Sequence, residues 1–122
     1  MATEILLIED HPDNRDMLAR RLTRIGYTVH TAVNGEEGVQ AVYDRPPELI
    51  LMDVSMPIMD GIEATRHIKS DPDYQHIPII GISGHTLSEE RERMFAAGAN
   101  DYTHKPIDFN KLSICIKQWL SH

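Results

Sequence analysis

Leu49-Ile50-Leu51-Met52 is an unbroken apolar run that ends on a carboxylate, Asp53. The run does not alternate, so both faces of the segment must be buried, the pattern of a strand inside a parallel sheet. Open α/β sheets place their ligands at the carboxyl ends of such strands, which makes Asp53 the first candidate site residue. A second apolar run, Ile5-Leu6-Leu7-Ile8, ends the same way on Glu9-Asp10. If the two strands are neighbours, three carboxylates share one crevice. Two unit charges about 5 Å apart repel by roughly 3 kcal/mol at an effective dielectric of 20. A hard divalent cation with oxygen ligands is the partner that best relieves this repulsion.

Strand patterns over 5–9, 28–32, 49–53, 77–83 and 101–104 alternate with helical patterns, with no repeat or linker between them. Leu18, Leu22 and Ile25 follow the stripe of a helix lying on a sheet, and Gly26 stops it. Asn34 with Glu37, Asp60 with Glu63, and Thr86 with Glu89 have the spacing of capping boxes. Gly98 is the expected stop of the fourth helix. Asp108 is placed to cap a last helix whose Leu112, Cys115, Ile116 and Trp119 share one face. Pro78 is expected at the start of its strand, where a missing N–H is tolerable. The alternation predicts (βα)₅, and right-handed crossovers make it a three-layer α/β sandwich. The 122 residues, 1–122, form one domain, long enough to bury a core without staples.

A net charge of −7 argues against nucleic acid as the direct ligand, because a phosphate backbone needs a basic face. Cys115 is the only cysteine, so an intramolecular disulfide is excluded and a reducing cytoplasm is the simplest location. No apolar run approaches the roughly 20 residues of a membrane span, and Met1-Ala2-Thr3-Glu4 leads straight into a strand rather than a signal peptide. The seven histidines include no i, i+4 helical pair and are expected to be solvated rather than metal ligands. Cys115 is expected to pack rather than react.

Glu9-Asp10, Asp53, Ser83 and Lys105 all fall at strand carboxyl ends. Each alone has a plainer explanation: a helix cap for Glu9-Asp10, turn chemistry for Asp53 and for Ser83 before Gly84, a solvated lysine for Lys105. Together they supply a nucleophile, metal ligands, a hydroxyl donor and a cation, which are the parts phosphoryl transfer requires.

In these residues the chain resembles the response-regulator receiver domains of two-component signalling, from end to end. That family pairs two acidic residues after the first strand with an Asp after the third, a Thr or Ser after the fourth and Lys-Pro after the fifth. The matching positions are Glu9 and Asp10, Asp53, Ser83, and Lys105-Pro106, and Asp53-Val54-Ser55-Met56-Pro57-Ile58-Met59-Asp60-Gly61 follows the family's loop. The resemblance implies a flavodoxin-like sheet in the order 2-1-3-4-5, and Asp53 as the phosphoacceptor. It implies Mg²⁺ held by Glu9 (through water), Asp10, Asp53 and the backbone carbonyl of Ser55. Lys105 is implied as the cation on the phosphoryl oxygens, behind a Lys105–Pro106 peptide that is cis. Ser83 and Tyr102 are implied as the switch pair, acting on the surface of the fourth helix, fifth strand and fifth helix. The implied partners are a sensor histidine kinase or histidine phosphotransfer protein and a downstream protein target, with no direct role for nucleic acid or membrane. Such a domain turns over its own phosphoryl group and is not an enzyme acting on a separate substrate.

Three features depart from the commonest pattern: Ser83 replaces Thr, Gly84 replaces Ala, and Ser55 and His85 flank the expected path of an attacking water. Asn14-Arg15 after the acidic pair is nearer to receivers of hybrid kinases and phosphorelays. Rival functions fit less well. An aspartate-nucleophile phosphatase carries Asp-x-Asp, and its second Asp is here Ser55. An FMN carrier on the same fold needs a Ser/Thr-rich first loop, whereas Glu9-Asp10-His11-Pro12-Asp13 repels phosphate. A binding module that is never phosphorylated has no use for the complete constellation.

Overall fold

The computed structural model describes residues 2–84 and 88–121. Thr86 of the expected capping box, His85 beside the expected water path, and His122 lie outside the described residues, as does Met1. Five strands, β1 (Glu4–Ile8), β2 (Thr28–Ala32), β3 (Leu49–Asp53), β4 (Ile79–Ser83) and β5 (Asp101–His104), alternate with five helices, α1 (Pro12–Arg24), α2 (Gly35–Asp44), α3 (Gly61–Lys69), α4 (Ser88–Ala97) and α5 (Phe109–Leu120). The strands form one parallel sheet in the order β2-β1-β3-β4-β5. This is the (βα)₅ flavodoxin-like sandwich, in the implied order.

The unbroken apolar runs are explained by two cores, one on each face of the sheet. Leu6, Ile8, Ile50, Met52 and Ile79 pack with Val39 and Val42 of α2, Ile62 and Ile68 of α3, and Met94 of α4. Ile5, Leu7, Leu49, Leu51, Ile80 and Ile82 pack with Leu18 and Leu22 of α1 and Leu112 and Ile116 of α5. Alternate residues of β1, β3 and β4 thus serve opposite cores, and neither face can be polar.

Element ends follow local chemistry. α1 closes with Gly26 at φ 110°, donating to the Thr23 carbonyl while Tyr27 N–H reaches back to Leu22, a Schellman turn that needs glycine's left-handed conformation. Asn34, Asp60 and Asp108 accept from the N–H groups of Glu37, Glu63 and Lys111, as their spacing predicts. Two strand boundaries differ from expectation. β1 ends at Ile8 rather than Glu9: Glu9 N–H still bonds to Ala32, but its carbonyl turns to the Arg15 guanidinium. β4 begins at Ile79 rather than Ile77, because Ile77 N–H closes a turn onto Tyr74, and Pro78 precedes the strand, contributing only its carbonyl, to Ile50.

Candidate functional site

Parallel order with β1 and β3 adjacent brings Glu9-Asp10 beside Asp53, since Ile8 pairs with Met52. Glu9 and Asp10 do not cap α1. Its N-cap is His11, which makes no side-chain cap, and Pro12 opens the helix. The acidic pair is instead shaped by Arg15, whose Nη1 donates to the carbonyls of Glu9 (3.0 Å) and Asp10 (3.4 Å). His11 N–H donates to Glu9 Oε2 at 3.2 Å. Asp53 is fixed from the other side by the start of α3. Gly61 N–H donates to Val54, and a Cβ at Gly61 would lie 2.2 Å from the Asp53 carbonyl oxygen, so only glycine permits this approach. At the far side, Lys105 N–H donates to the Ser83 carbonyl at 2.7 Å, tying the end of β5 to that of β4. The Lys105–Pro106 peptide is cis, as the resemblance implied.

Glu9, Asp53 and Ser83 are buried, at 2%, 3% and 1% exposure. Lys105 Nζ lies 2.9 Å from Glu9 Oε1 and 3.5 Å from Asp53 Oδ1. That ammonium pairs with two carboxylates of a cluster of three, because oxygens of Glu9, Asp10 and Asp53 come within 4.8 Å of one another. These are hard oxygen donors, some buried and some partly open, a set that fits a hard divalent cation.

The imbalance shows in proton affinity. Burial pushes the Asp53 carboxyl up to about 8, and the neighbouring Glu9 and Asp10 carboxylates add to the shift while Lys105 opposes it. Burial also raises Glu9, but hydrogen bonds from Asp53, Lys105 and the His11 N–H prevail and hold it below the ordinary carboxylate range. Without a divalent cation, Glu9 is therefore the carboxylate that stays ionised and Asp53 the one that keeps a proton. Burial depresses Lys105, but Glu9 and Asp53 outweigh it and keep the ammonium charged.

Ser55 lies two residues beyond β3, on an exposed stretch. The Ser83 hydroxyl donates to the Glu90 carboxylate in the first turn of α4. Tyr102 lies on β5 with its ring edge-on to His104, centroids 5.3 Å apart, and its hydroxyl is buried with no hydrogen-bond partner among the described residues. Gly81 on the neighbouring strand makes room for it: a Cβ there would meet Met94 Cε at 2.7 Å and Tyr102 Cδ2 at 3.2 Å.

Sequence reasoning missed Glu90 and the part played by Arg15. Arg15 could have been found from its place one turn after an acidic pair; nothing in the sequence separates Glu90 from Glu89 or Glu92. His30, though its side chain is 41% exposed, also pairs through Nε2 with Glu4 at 2.9 Å. Cys115 is a packing residue as expected. Burial, and then the nearby Asp101 carboxylate to which it donates, push its thiol up to about 12.

No helix among the described residues is long and apolar enough to cross a membrane. Residues 5–117 match the family described as Response regulator receiver domain. Signal transduction histidine-protein kinase BarA of Escherichia coli K12 is 32% identical over 112 residues, which cover 92% of this chain and 12% of that kinase. The chain therefore spans only a small part of such curated relatives, whereas Polar-differentiation response regulator DivK of Brucella anthropi is 29% identical with 98% of each chain covered. Among solved structures, the receiver domain of a Pseudomonas aeruginosa sensor histidine kinase, which holds a magnesium ion in its active-site cleft, is 33% identical, covers 100% of both chains and superposes with a TM-score of 0.93. A match that runs through every strand and helix leaves one assignment: the chain belongs to the response-regulator receiver domains, the signalling switches of two-component systems.

Proposed function

We propose that residues 1–122 act as a single receiver that accepts a phosphoryl group on Asp53 from the phosphohistidine of a sensor kinase or histidine phosphotransfer protein, and that this changes the surface of α4, β5 and α5 for a protein partner. The observation that carries this reading is the placement of buried Asp53, with Lys105 Nζ 3.5 Å away and oxygens of the Glu9 and Asp10 carboxylates within 4.8 Å. Asp53 is the nucleophile: its carboxylate oxygen forms the O–P bond as the donor's N–P bond breaks, and that electron pair returns to the imidazole nitrogen. Lys105 neutralises charge on the phosphoryl oxygens as a compact ammonium. Asp10, Asp53 and the Ser55 carbonyl would hold Mg²⁺ directly and Glu9 through a water, and the bound cation would offset the charge of the carboxylates and of the incoming phosphoryl group. Arg15 and Gly61 hold the acidic pair and Asp53 in place.

Ser83 then donates to a phosphoryl oxygen, and Tyr102 responds. Its buried hydroxyl has no hydrogen-bond partner among the described residues; a polar group left so costs about 1–3 kcal/mol, which favours a second arrangement that satisfies it. The setting is cytoplasmic, and the domain is a switch rather than an enzyme acting on a separate substrate. Similarity to a signal transduction histidine-protein kinase and to the response regulator DivK supports a phosphorelay context. The test is incubation with a small phosphodonor and Mg²⁺ followed by intact-mass measurement. One acid-labile phosphoryl group per chain is expected, and none on Asp53→Asn. A wild-type mass that never changes, or Asp53→Asn labelled at the wild-type rate, defeats the assignment.

A further inference from the structure

A serine hydroxyl has one proton to donate, and an ionised carboxylate can only accept. The Ser83 proton is given to Glu90. Ser83 ends β4 and is 1% exposed, while Glu90 is half-buried in the first turn of α4, where the helix dipole favours its negative charge. The bond therefore joins the end of β4 to the start of the helix that follows it. The switching described above asks the same proton for a phosphoryl oxygen. Both acceptors are charged, so both bonds are of the strong, charge-assisted kind, and neither holds a decisive advantage.

We propose that Glu90 is a positioning residue that competes with the phosphoryl group for the Ser83 hydroxyl, so that activation requires Ser83 to release α4. This rests on the proposed phosphorylation of Asp53 and adds a consequence to it. The carboxylate on α4 sets the threshold for switching, and its release is the first mechanical event on the α4 surface. A serine in this position is well suited to such an exchange, having no β-methyl to restrict its rotamers.

Beryllofluoride titration with saturating Mg²⁺, followed by amide chemical shifts, measures the competition directly. Glu90→Ala should bind beryllofluoride about tenfold more tightly than wild type, the range expected for a lost hydrogen bond to a charged acceptor. Glu90→Gln, isosteric but a weaker acceptor, should fall between them. Glu92→Ala removes an exposed charge from the same helix and should match wild type. Mg²⁺ affinity without beryllofluoride should be the same in all four proteins, a split that general destabilisation of α4 does not produce. In a Ser83→Ala background the gain from Glu90→Ala should vanish, which isolates the pair. The inference is overturned if Glu90→Ala binds no more tightly than Glu92→Ala, or if its gain survives without the Ser83 hydroxyl. Wild-type protein that fails to bind beryllofluoride at all overturns the proposed function as well, so the two failures are distinguishable.

Discussion

At the amino ends of the strands the Glu4 carboxylate is held by His30 Nε2 at 2.9 Å and Arg45 Nε at 2.8 Å, whereas at the carboxyl ends the clustered carboxylates of Glu9, Asp10 and Asp53 meet, among the described residues, the Lys105 ammonium, which pairs with Glu9 and Asp53. The hydrogen bond from His30, with Arg45 behind it, keeps Glu4 below the ordinary carboxylate range. Asp101, which opens β5, is treated the same way. Burial would raise it, but the Trp119 indole N–H at 2.9 Å, Cys115 and the Tyr102 N–H hold it down. Across the sheet, Asp53 is pushed up to about 8. One edge matches each carboxylate to donors, and the other concentrates like charge in a buried place. Charge left unbalanced in this way weakens the fold, and such perturbed groups gather at functional sites.

The largest expected effect is that of Asp53→Asn. It removes the proposed phosphoacceptor, so acid-labile phosphorylation should disappear. Without divalent cation at pH above 8 it also relieves a repulsion of roughly 3 kcal/mol, and Tm should rise by roughly 10 °C for a domain of this size. A nucleophile whose removal stabilises the protein is the signature of an edge arranged for chemistry. Thermal melts in EDTA that show Asp53→Asn equal to or below wild type would contradict this account of the carboxyl edge.

The pH dependence sharpens the same contrast. The Asp53 value of about 8 lies above 3.8, so the native state binds more protons than the unfolded chain between those values. Stability then falls as pH rises through that window. Glu9 is depressed below 4.5, so its contribution is present above that value and lost as pH falls beneath it. In EDTA, Tm should therefore peak near pH 5 and decline toward pH 8.5. Mg²⁺ should largely cancel the decline, contributing about 2.7 kcal/mol at a hundredfold excess over Kd. Asp10→Asn should weaken Mg²⁺ binding while making the metal-free protein more stable. Calorimetry with no Mg²⁺ dependence at millimolar metal would remove the cation from the proposal.

The carboxyl edge was legible from sequence and the amino edge was not, for a physical reason. Asp53, Glu9-Asp10, Ser83 and Lys105 each terminate a strand pattern, so strand assignment alone gathers them, and parallel pairing fixes their neighbours. The partners of Glu4 and Asp101 come from 26, 41 and 18 positions away, at registers that no local pattern encodes. The direction of the Ser83 hydroxyl was equally hidden, because it depends on how α4 approaches β4. Boundaries shifted at Ile77 and Glu9, where a backbone group found a turn or a side chain in place of the ladder.

Ser83→Ala should be smaller in effect than the loss of Asp53 or of the cation. Asp53 should still be phosphorylated, because its attack does not require the Ser83 proton. The response should weaken, since a bond to a charged acceptor is worth about 1.5–3 kcal/mol and biases a two-state equilibrium roughly 10- to 150-fold. With beryllofluoride, shift changes at Tyr102 and along α4 should shrink while those around Asp53 persist. Full-sized changes at Tyr102 in Ser83→Ala would detach the switch from this hydroxyl.

The smallest expected effect, Glu4→Gln, tests the other half of the comparison. Above pH 8 without divalent cation, where Asp53 is ionised, it makes the same change in net charge as Asp53→Asn, so any difference between the two variants comes from place rather than from total charge. Glu4, His30 and Arg45 are all partly or well exposed, and ion pairs in such positions contribute little and are screened by salt. Glu4→Gln should lower Tm slightly, and less at high salt, whereas Asp53→Asn raises it. The site lies at the opposite end of the strands, so Mg²⁺ affinity and the rate of phosphorylation should match wild type. A rise in Tm for Glu4→Gln would mean that its carboxylate is as poorly balanced as Asp53. A loss of Mg²⁺ affinity as large as that of Asp10→Asn would mean that the two edges are not independent. With neither, the opposite signs of two identical charge deletions on one sheet measure how far the carboxyl edge trades stability for chemistry.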